Sequence, residues 1–308
     1  MKLLDPYPCF NDGSKPPPLP CFTESSATVP TTLPSLRTPL SKYKRHVRYC
    51  VLEFDPLLDS SSMNPERWYE IAHTIKQNYQ LFDSFVVLHG TDTLAYTASA
   101  LSFMFSFLGK PVIVTGSQVP MADLLTDAID NLSGSLCMAG HFAIPEVCVY
   151  FNSQLFRGNR VTKINAIGFT GFGSPNHQPL ATVGVEISIN GNYIFRTTES
   201  SPFGLSPNTP ATKRVACLRL FPGISAEMVL GVLKLEGVKG LILQTFGSGN
   251  APQDPELLRV LKEGVDDGVV VVNVTQCMTG TVSRLYAAGS ELAKIGVVLG
   301  MDMTTEGI

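Results

Sequence analysis

Apolar positions along the chain fall into short runs separated by longer amphipathic stretches. Phe85 to His89, Pro111 to Gly116 and Val147 to Phe151 are runs of four to six residues with the apolar density of buried strands. Between them, Thr93 to Leu108 and Asp127 to Ala139 read as helices. An earlier helix opens at Asn64-Pro65, a capping residue followed by a proline at the first helical position. Trp68, Ile71, Ala72, Ile75 and Tyr79 then form one apolar face at helical spacing. The alternation resumes with strands at Val215–Leu220, Gly240–Gln244 and Val269–Val274 and helices at Ser225–Leu233 and Pro255–Glu263. Short apolar strands alternating with helices predict an α/β protein whose sheet is doubly wound and mostly parallel. Residues 42–190 form the larger N-terminal domain of this reading, and Arg48 to Phe54 its first strand-like run. Residues 191–213, rich in Asn, Ser, Thr and Pro, are the expected linker, and residues 214–308 a smaller C-terminal α/β domain. That domain reads as truncated, because a further helix is expected just after Gly300 to Thr304. Residues 1–41 carry nine prolines and are expected to be irregular, partly polyproline-like and mobile at the tip.

Composition narrows the function classes. Of 308 residues, 44% are hydrophobic and 16% charged, which supports a packed core. Lys and Arg number 23 against 26 Asp and Glu, a net charge of −3 that argues against nucleic acid or an anionic membrane as partner. No apolar run approaches the roughly 18 residues of a membrane span, and Asp5-Pro6 interrupts any signal-like apolar region after Leu4. The seven cysteines show no Cys-x-x-Cys spacing, which speaks against a disulfide framework or a structural metal and for a reducing cytoplasm.

The strongest local chemistry is His89-Gly-Thr-Asp-Thr93, at the end of a buried strand and the start of a helix. Gly90 permits a tight turn, and in a doubly wound sheet such a position faces the ligand crevice. Thr91, Asp92 and Thr93 also suit a simple helix cap, and His89 suits a packed strand end. Phe246-Gly-Ser-Gly-Asn-Ala-Pro252 follows a strand, yet it lacks the third glycine of a dinucleotide fingerprint.

Five ordered stretches together resemble the L-asparaginase and glutaminase family, most closely its cytoplasmic type I branch. They are LDSSSM at Leu58 to Met63, SFVVLHGTDTL at Ser84 to Leu94, KPVIVTGSQVP at Lys110 to Pro120, NSQLFRGNRVTK at Asn152 to Lys163 and FGSGNAP at Phe246 to Pro252. The resemblance runs from about Arg48 to Thr305. It implies hydrolysis of the side-chain amide of L-asparagine to aspartate and ammonia, without cofactor. It also implies a Thr91–Lys163–Asp92 relay, in which the lysine is the base that a weakly nucleophilic hydroxyl requires. Asp59, Ser60 and Ser61, with Thr91 and Asp92, are implied to bind the substrate's α-carboxylate and α-ammonium. Asn250, Thr275, Gln276 and Cys277 resemble a second, activating asparagine site. Gln244 stands where bacterial members carry arginine, which weakens that site's grip on a carboxylate. A homo-oligomer, a tetramer in most of the family, is implied as well.

The family's first signature, an N-terminal strand followed by Thr-Gly-Gly-Thr-Ile-Gly, does not occur in the 308 residues. Its second threonine is the family's nucleophile, so the chain is expected to hydrolyse asparagine poorly, like a member that begins one strand late. The rival reading is a silent family member that binds amino acids or joins full-length subunits. A nucleotide-binding protein of unrelated family is the third.

Overall fold

The computed structural model describes residues 1–23, 26–196, 201–206, 214–283 and 287–308. The chain divides into two compact units, one of Met1–Ser174 with Gln178–Ala211 and one of Pro175–His177 with Thr212–Ile308.

The N-terminal region departs from the sequence expectation. Leu19–Thr23 (β1) and Ser26–Leu33 (β2) form an antiparallel ribbon, and Ser35–Arg37 (β3) pairs with Arg48–Cys50 (β4). Prolines argue against central strands, but each strand of a two-stranded ribbon is an edge, and an edge tolerates the missing N–H of Pro20 and Pro30. The ribbon is tied down by the Asn78 side chain, which both accepts from Phe22 N–H and donates to the Phe22 carbonyl. Ahead of it, Leu4 and Phe10 are buried with Leu36, Leu132 and Leu136. Residues 1–41 are therefore substantially folded, not irregular throughout.

Helix α1 spans Pro65–Asn78. Its N-cap is Asn64, whose side chain accepts from Arg67 N–H, and Ile71, Ala72 and Ile75 line its buried face. Strand β5 (Phe85–Leu88) leads through a 3-10 turn at Thr91–Thr93 into helix α2 (Leu94–Met104). The helix stops four residues before the expected Leu108, because Phe105–Ser106 pairs instead with Gly204–Leu205. Strand β6 (Val112–Thr115), helix α3 (Ala128–His141) and strand β7 (Val147–Phe151) follow. A two-residue turn at Asn152-Ser153, both with positive φ (46° and 61°), returns the chain as β8 (Gln154–Arg157). Such a turn matches the twist of antiparallel strands. A short hairpin of β9 (Thr162–Lys163) and β10 (Phe172–Gly173) comes next, then β11 (Ala181–Val183) and β12 (Ile187–Ile189).

The main sheet has six strands in the order β12-β11-β8-β7-β6-β5. β5, β6 and β7 run parallel, and β8, β11 and β12 add antiparallel strands on one side. Period-2 alternation divides the side chains between two layers. Val112, Val114, Val147 and Val149 pack with α1 and α2, whereas Ile113, Cys148 and Tyr150 pack with Met138 and Ala139 of α3. The expected linker lies partly outside the described residues (197–200 and 207–213). Of the remainder, Phe203 stacks on Tyr79 at 3.7 Å between ring centroids.

The second unit is a four-stranded, wholly parallel sheet of β13 (Val215–Arg219), β14 (Gly240–Thr245), β15 (Val270–Thr275) and β16 (Val298–Leu299), in that order. Helices α4 (Ala226–Leu233) and α5 (Pro255–Asp266) are N-capped by Ser225 and Asp254. Their apolar faces close over Leu241, Leu243 and Val271. α6 (Ala287–Lys294) precedes the last strand, and the chain ends in a 3-10 turn, Thr305–Gly307, where a helix is expected from the sequence.

Candidate active site

The site grows out of the carboxyl end of β5. His89 N–H donates to the Thr115 carbonyl of β6 at 2.8 Å, so the strand pairing continues to the last residue before Gly90. A Cβ at Gly116 would lie 2.1 Å from the His89 carbonyl oxygen, which is why only glycine fits there. One at Gly90 would lie 2.6 Å from Ser60 Oγ. The Asp59 loop therefore sits directly against the turn that carries Thr91. Thr93 Oγ1 fixes this arrangement by donating to the Ser60 carbonyl at 2.6 Å.

On that turn, Thr91 and Asp92 meet Lys163 from β9. Lys163 Nζ donates to Thr91 Oγ1 at 2.9 Å and to Asp92 Oδ1 at 2.7 Å. The lysine side chain is 20% exposed and that of Asp92 63%. The amine is thus largely covered, while its carboxylate partner keeps a face open to solvent or to a ligand. Ser60 is buried, and Asp59 and Ser61 flank it on the surface. Asp59 accepts from Ser61 N–H at 2.8 Å, and that hydrogen bond lowers its carboxyl pKa.

Beneath the turn runs a chain of hydrogen bonds with one consistent set of proton positions. Trp68 Nε1–H donates to Thr97 Oγ1, and Thr97 Oγ1 in turn contacts His89 Nε2, both at 2.9 Å. His89 Nδ1 lies 2.7 Å from the Gly90 carbonyl, which can only accept, so the proton sits on Nδ1 and the hydroxyl proton points to Nε2. Burial lowers the pKa of His89, and the Gly90 hydrogen bond offsets this in part. His89 is thus a neutral, packed residue at the strand end, one of the two sequence readings.

The C-terminal unit gathers its own strand-end cluster. Thr275 Oγ1 donates to the Gly247 carbonyl at 2.5 Å and accepts from Cys277 N–H at 3.0 Å. Asn250 closes the β14 loop by a bridge to Phe246, and its side-chain oxygen is buried without a hydrogen-bond partner. Gln276 points elsewhere: its amide donates to the Leu220 and Gln244 carbonyls at 2.7 and 2.9 Å. Gln244 donates to Thr305 Oγ1 at 2.8 Å.

Comparison with known proteins gives this architecture its place. The family described as "Asparaginase, N-terminal" matches residues 23–195, and "Glutaminase/Asparaginase C-terminal domain" matches residues 214–308. The chain belongs to the asparaginase family. It is 48% identical over 264 residues to L-asparaginase 1 of Escherichia coli (strain K12), covering 84% of this chain and 75% of that protein. It is 46% identical over 272 residues to the 60 kDa lysophospholipase of Homo sapiens, covering 88% of this chain and 47% of that protein. The chain thus spans about half the length of that relative. The crystal structure of L-asparaginase I from Vibrio cholerae superposes with a TM-score of 0.77 at 50% identity, covering 83% of this chain and 76% of that one.

Sequence reasoning passed over the residues that brace the loop behind these turns. Asp127 accepts from Gln118 N–H with both carboxylate oxygens at 3.0 Å and from Val119 N–H at 3.1 Å. Asn131 donates to the Gly116 carbonyl and to Asp127, both at 3.0 Å. Asp127 at the head of a predicted helix was the available signal, since a buried carboxylate there must find N–H donors.

Proposed function

We propose that this chain hydrolyses the side-chain amide of L-asparagine, with Thr91, Asp92 and Lys163 as catalytic residues. The observation that carries the reading is the Lys163 amine within hydrogen-bond reach of both the Thr91 hydroxyl and the Asp92 carboxylate. A hydroxyl becomes reactive, or activates a water, only beside a group that takes its proton. Water adds to the amide carbon, the C–N bond breaks, and ammonia leaves with aspartate as co-product. Asp92 presents an open carboxylate to the α-ammonium, and Ser60 faces the α-carboxylate on a loop that Asp59 shapes by accepting from Ser61 N–H. Asparagine carries both groups, whereas the acyl chain of a lysophospholipid, the substrate class in the human relative's name, carries neither.

The 308 residues contain no Thr-Gly-Gly-Thr run. The rate expected is therefore that of a water activated by Thr91 and Lys163, well below an asparaginase that attacks covalently. The same absence favours the second reading, a silent amino-acid-binding member. Self-association fits the exposed apolar side chains on the two loops beside the site: Leu124 and Leu125 on one, Ile164, Ile167 and Phe169 on the other. The family's tetramer is the assembly we propose. A second asparagine at Asn250, Thr275 and Cys277 fits the partnerless Asn250 oxygen, with Gln276 supporting the loops through backbone carbonyls. Seven free thiols fit a reducing cytoplasm, and no helix among the described residues is long and apolar enough to cross a membrane.

The test pairs calorimetry with an ammonia assay on the purified chain. Asparagine binding with slow ammonia release supports hydrolysis. Binding without release supports the silent reading, and binding of a dinucleotide instead of asparagine overturns both.

A further inference from the structure

We propose that Gln118 is a positioning residue for Lys163, acting through the turn of the hairpin that carries the lysine. The inference rests on the reading of Lys163 as the base of the site, and concerns how the chain holds it there. Lys163 sits at the end of a strand only two residues long, β9, paired with the equally short β10. A ladder that short fixes its own ends weakly, yet a misplacement of about 1 Å in a catalytic group can cost roughly 10²-fold in rate.

Gln118 supplies the missing anchor. Its Nε2 donates to the Asn165 carbonyl at 3.1 Å and to the Gly168 carbonyl at 3.0 Å, using both amide protons on the turn. The turn's first residues are clamped from within as well, since Ile164 N–H donates to the Gly171 carbonyl at 2.8 Å. A Cβ at Gly171 would sit 3.2 Å from Gln118 Nε2 and 3.3 Å from the Phe151 ring, so the turn fits closely beneath the glutamine. Gln118 is itself immobilised, because its backbone N–H is gripped by both oxygens of Asp127 at the head of α3. The anchor thus runs from a helix terminus through one side chain to the turn, and from the turn to Lys163. The planar amide serves both carbonyls with its two donors. Methionine has the length without the donors, and glutamate would face two carbonyls with a carboxylate.

The experiment compares wild type with Gln118→Met and Gln118→Glu in the full chain. Acetylation of each lysine is followed by mass spectrometry, and hydrogen exchange is followed in the 162–173 hairpin. Loss of two hydrogen bonds predicts roughly ten-fold faster exchange in the hairpin. Lys163 should also label faster, the other lysines should be unchanged, and the glutamate variant should be the looser. Ammonia release should fall in kcat with KM little altered. A glutamine that merely fills space predicts wild-type labelling and exchange in the methionine variant, and that result would overturn the proposal. A wild-type chain with no turnover at all would sink the function proposed above, while the labelling contrast still decides Gln118.

Discussion

The amine of Lys163 lies 2.9 Å from the hydroxyl of Thr91, 72 residues earlier in the chain. Two separate turns make that contact, one at the end of a parallel strand and one on a two-residue hairpin strand. The parallel strand holds Thr91 just past a sheet end that β6 fixes through His89 N–H, and the hairpin brings the only basic group that touches Thr91 among the hydrogen bonds described.

If the hydroxyl is chemically engaged, Thr91→Val should remove the reaction while leaving the shape of the turn. Loss of a positioned proton-transfer partner predicts a fall in kcat of roughly 10²–10⁴ with KM within a few-fold. Steady-state kinetics on the variant checks this. An unchanged kcat would remove Thr91 from the chemistry.

Ser60 is expected to contribute to binding more than to chemistry. Its side chain is buried against Gly90, beside the turn that carries Asp92. Ser60→Ala should weaken asparagine binding by roughly 1.5–3 kcal/mol, the value of a hydrogen bond to a charged group. Calorimetry reads the change, and equal affinity in the two proteins would remove Ser60 from the substrate clamp.

Gly116→Ala tests the close approach of the two strand ends. A methyl group 2.1 Å from the His89 carbonyl must push β5 and β6 apart just below Thr91. Overpacking of this kind costs roughly 1–3 kcal/mol. A lower denaturation midpoint with reduced turnover is the expected outcome, and unaltered stability would show that the strand ends give way easily.

Helices α1 to α5 and the parallel strands up to β15 were legible because their signals are local, whereas α6 and the two-residue β16 were not. Asn64-Pro65 caps α1, and the Val112 and Val147 runs are strands buried on both faces, whereas the Phe85 run, expected to be buried as well, is the outer strand of its sheet, half-buried with Leu88 exposed. The family motifs likewise named Thr91, Asp92 and Lys163. What stayed hidden depends on partners distant in sequence. The β1–β2 ribbon was masked by prolines that an edge strand tolerates, and the antiparallel strands β11 and β12 are only three residues each. Gln118 gave no local sign, since nothing in its motif says that its amide reaches a turn some 50 residues later.

His89 gives the chain a pH dependence with a defined sign. Burial holds its pKa below the ordinary value of 6.5, so below about that pH the unfolded chain binds a proton that the folded chain refuses. The contribution to stability is intact above pH 6.5 and is lost as pH falls toward the folded value. His141 shifts in the same direction through burial and Arg45. His89→Gln removes one titrating group, and its melting temperature should fall less between pH 7 and pH 5 than that of wild type. Parallel profiles would mean that His89 protonates as readily in the fold as in the unfolded chain.

Ammonia release from L-asparagine by the purified 308-residue chain, run beside Lys163→Met, tests the central claim most directly. The account predicts slow, saturable release proportional to the amount of wild-type protein, falling to background when the amine is removed. Release that is absent from the wild-type chain, or equal in the two proteins, would contradict it.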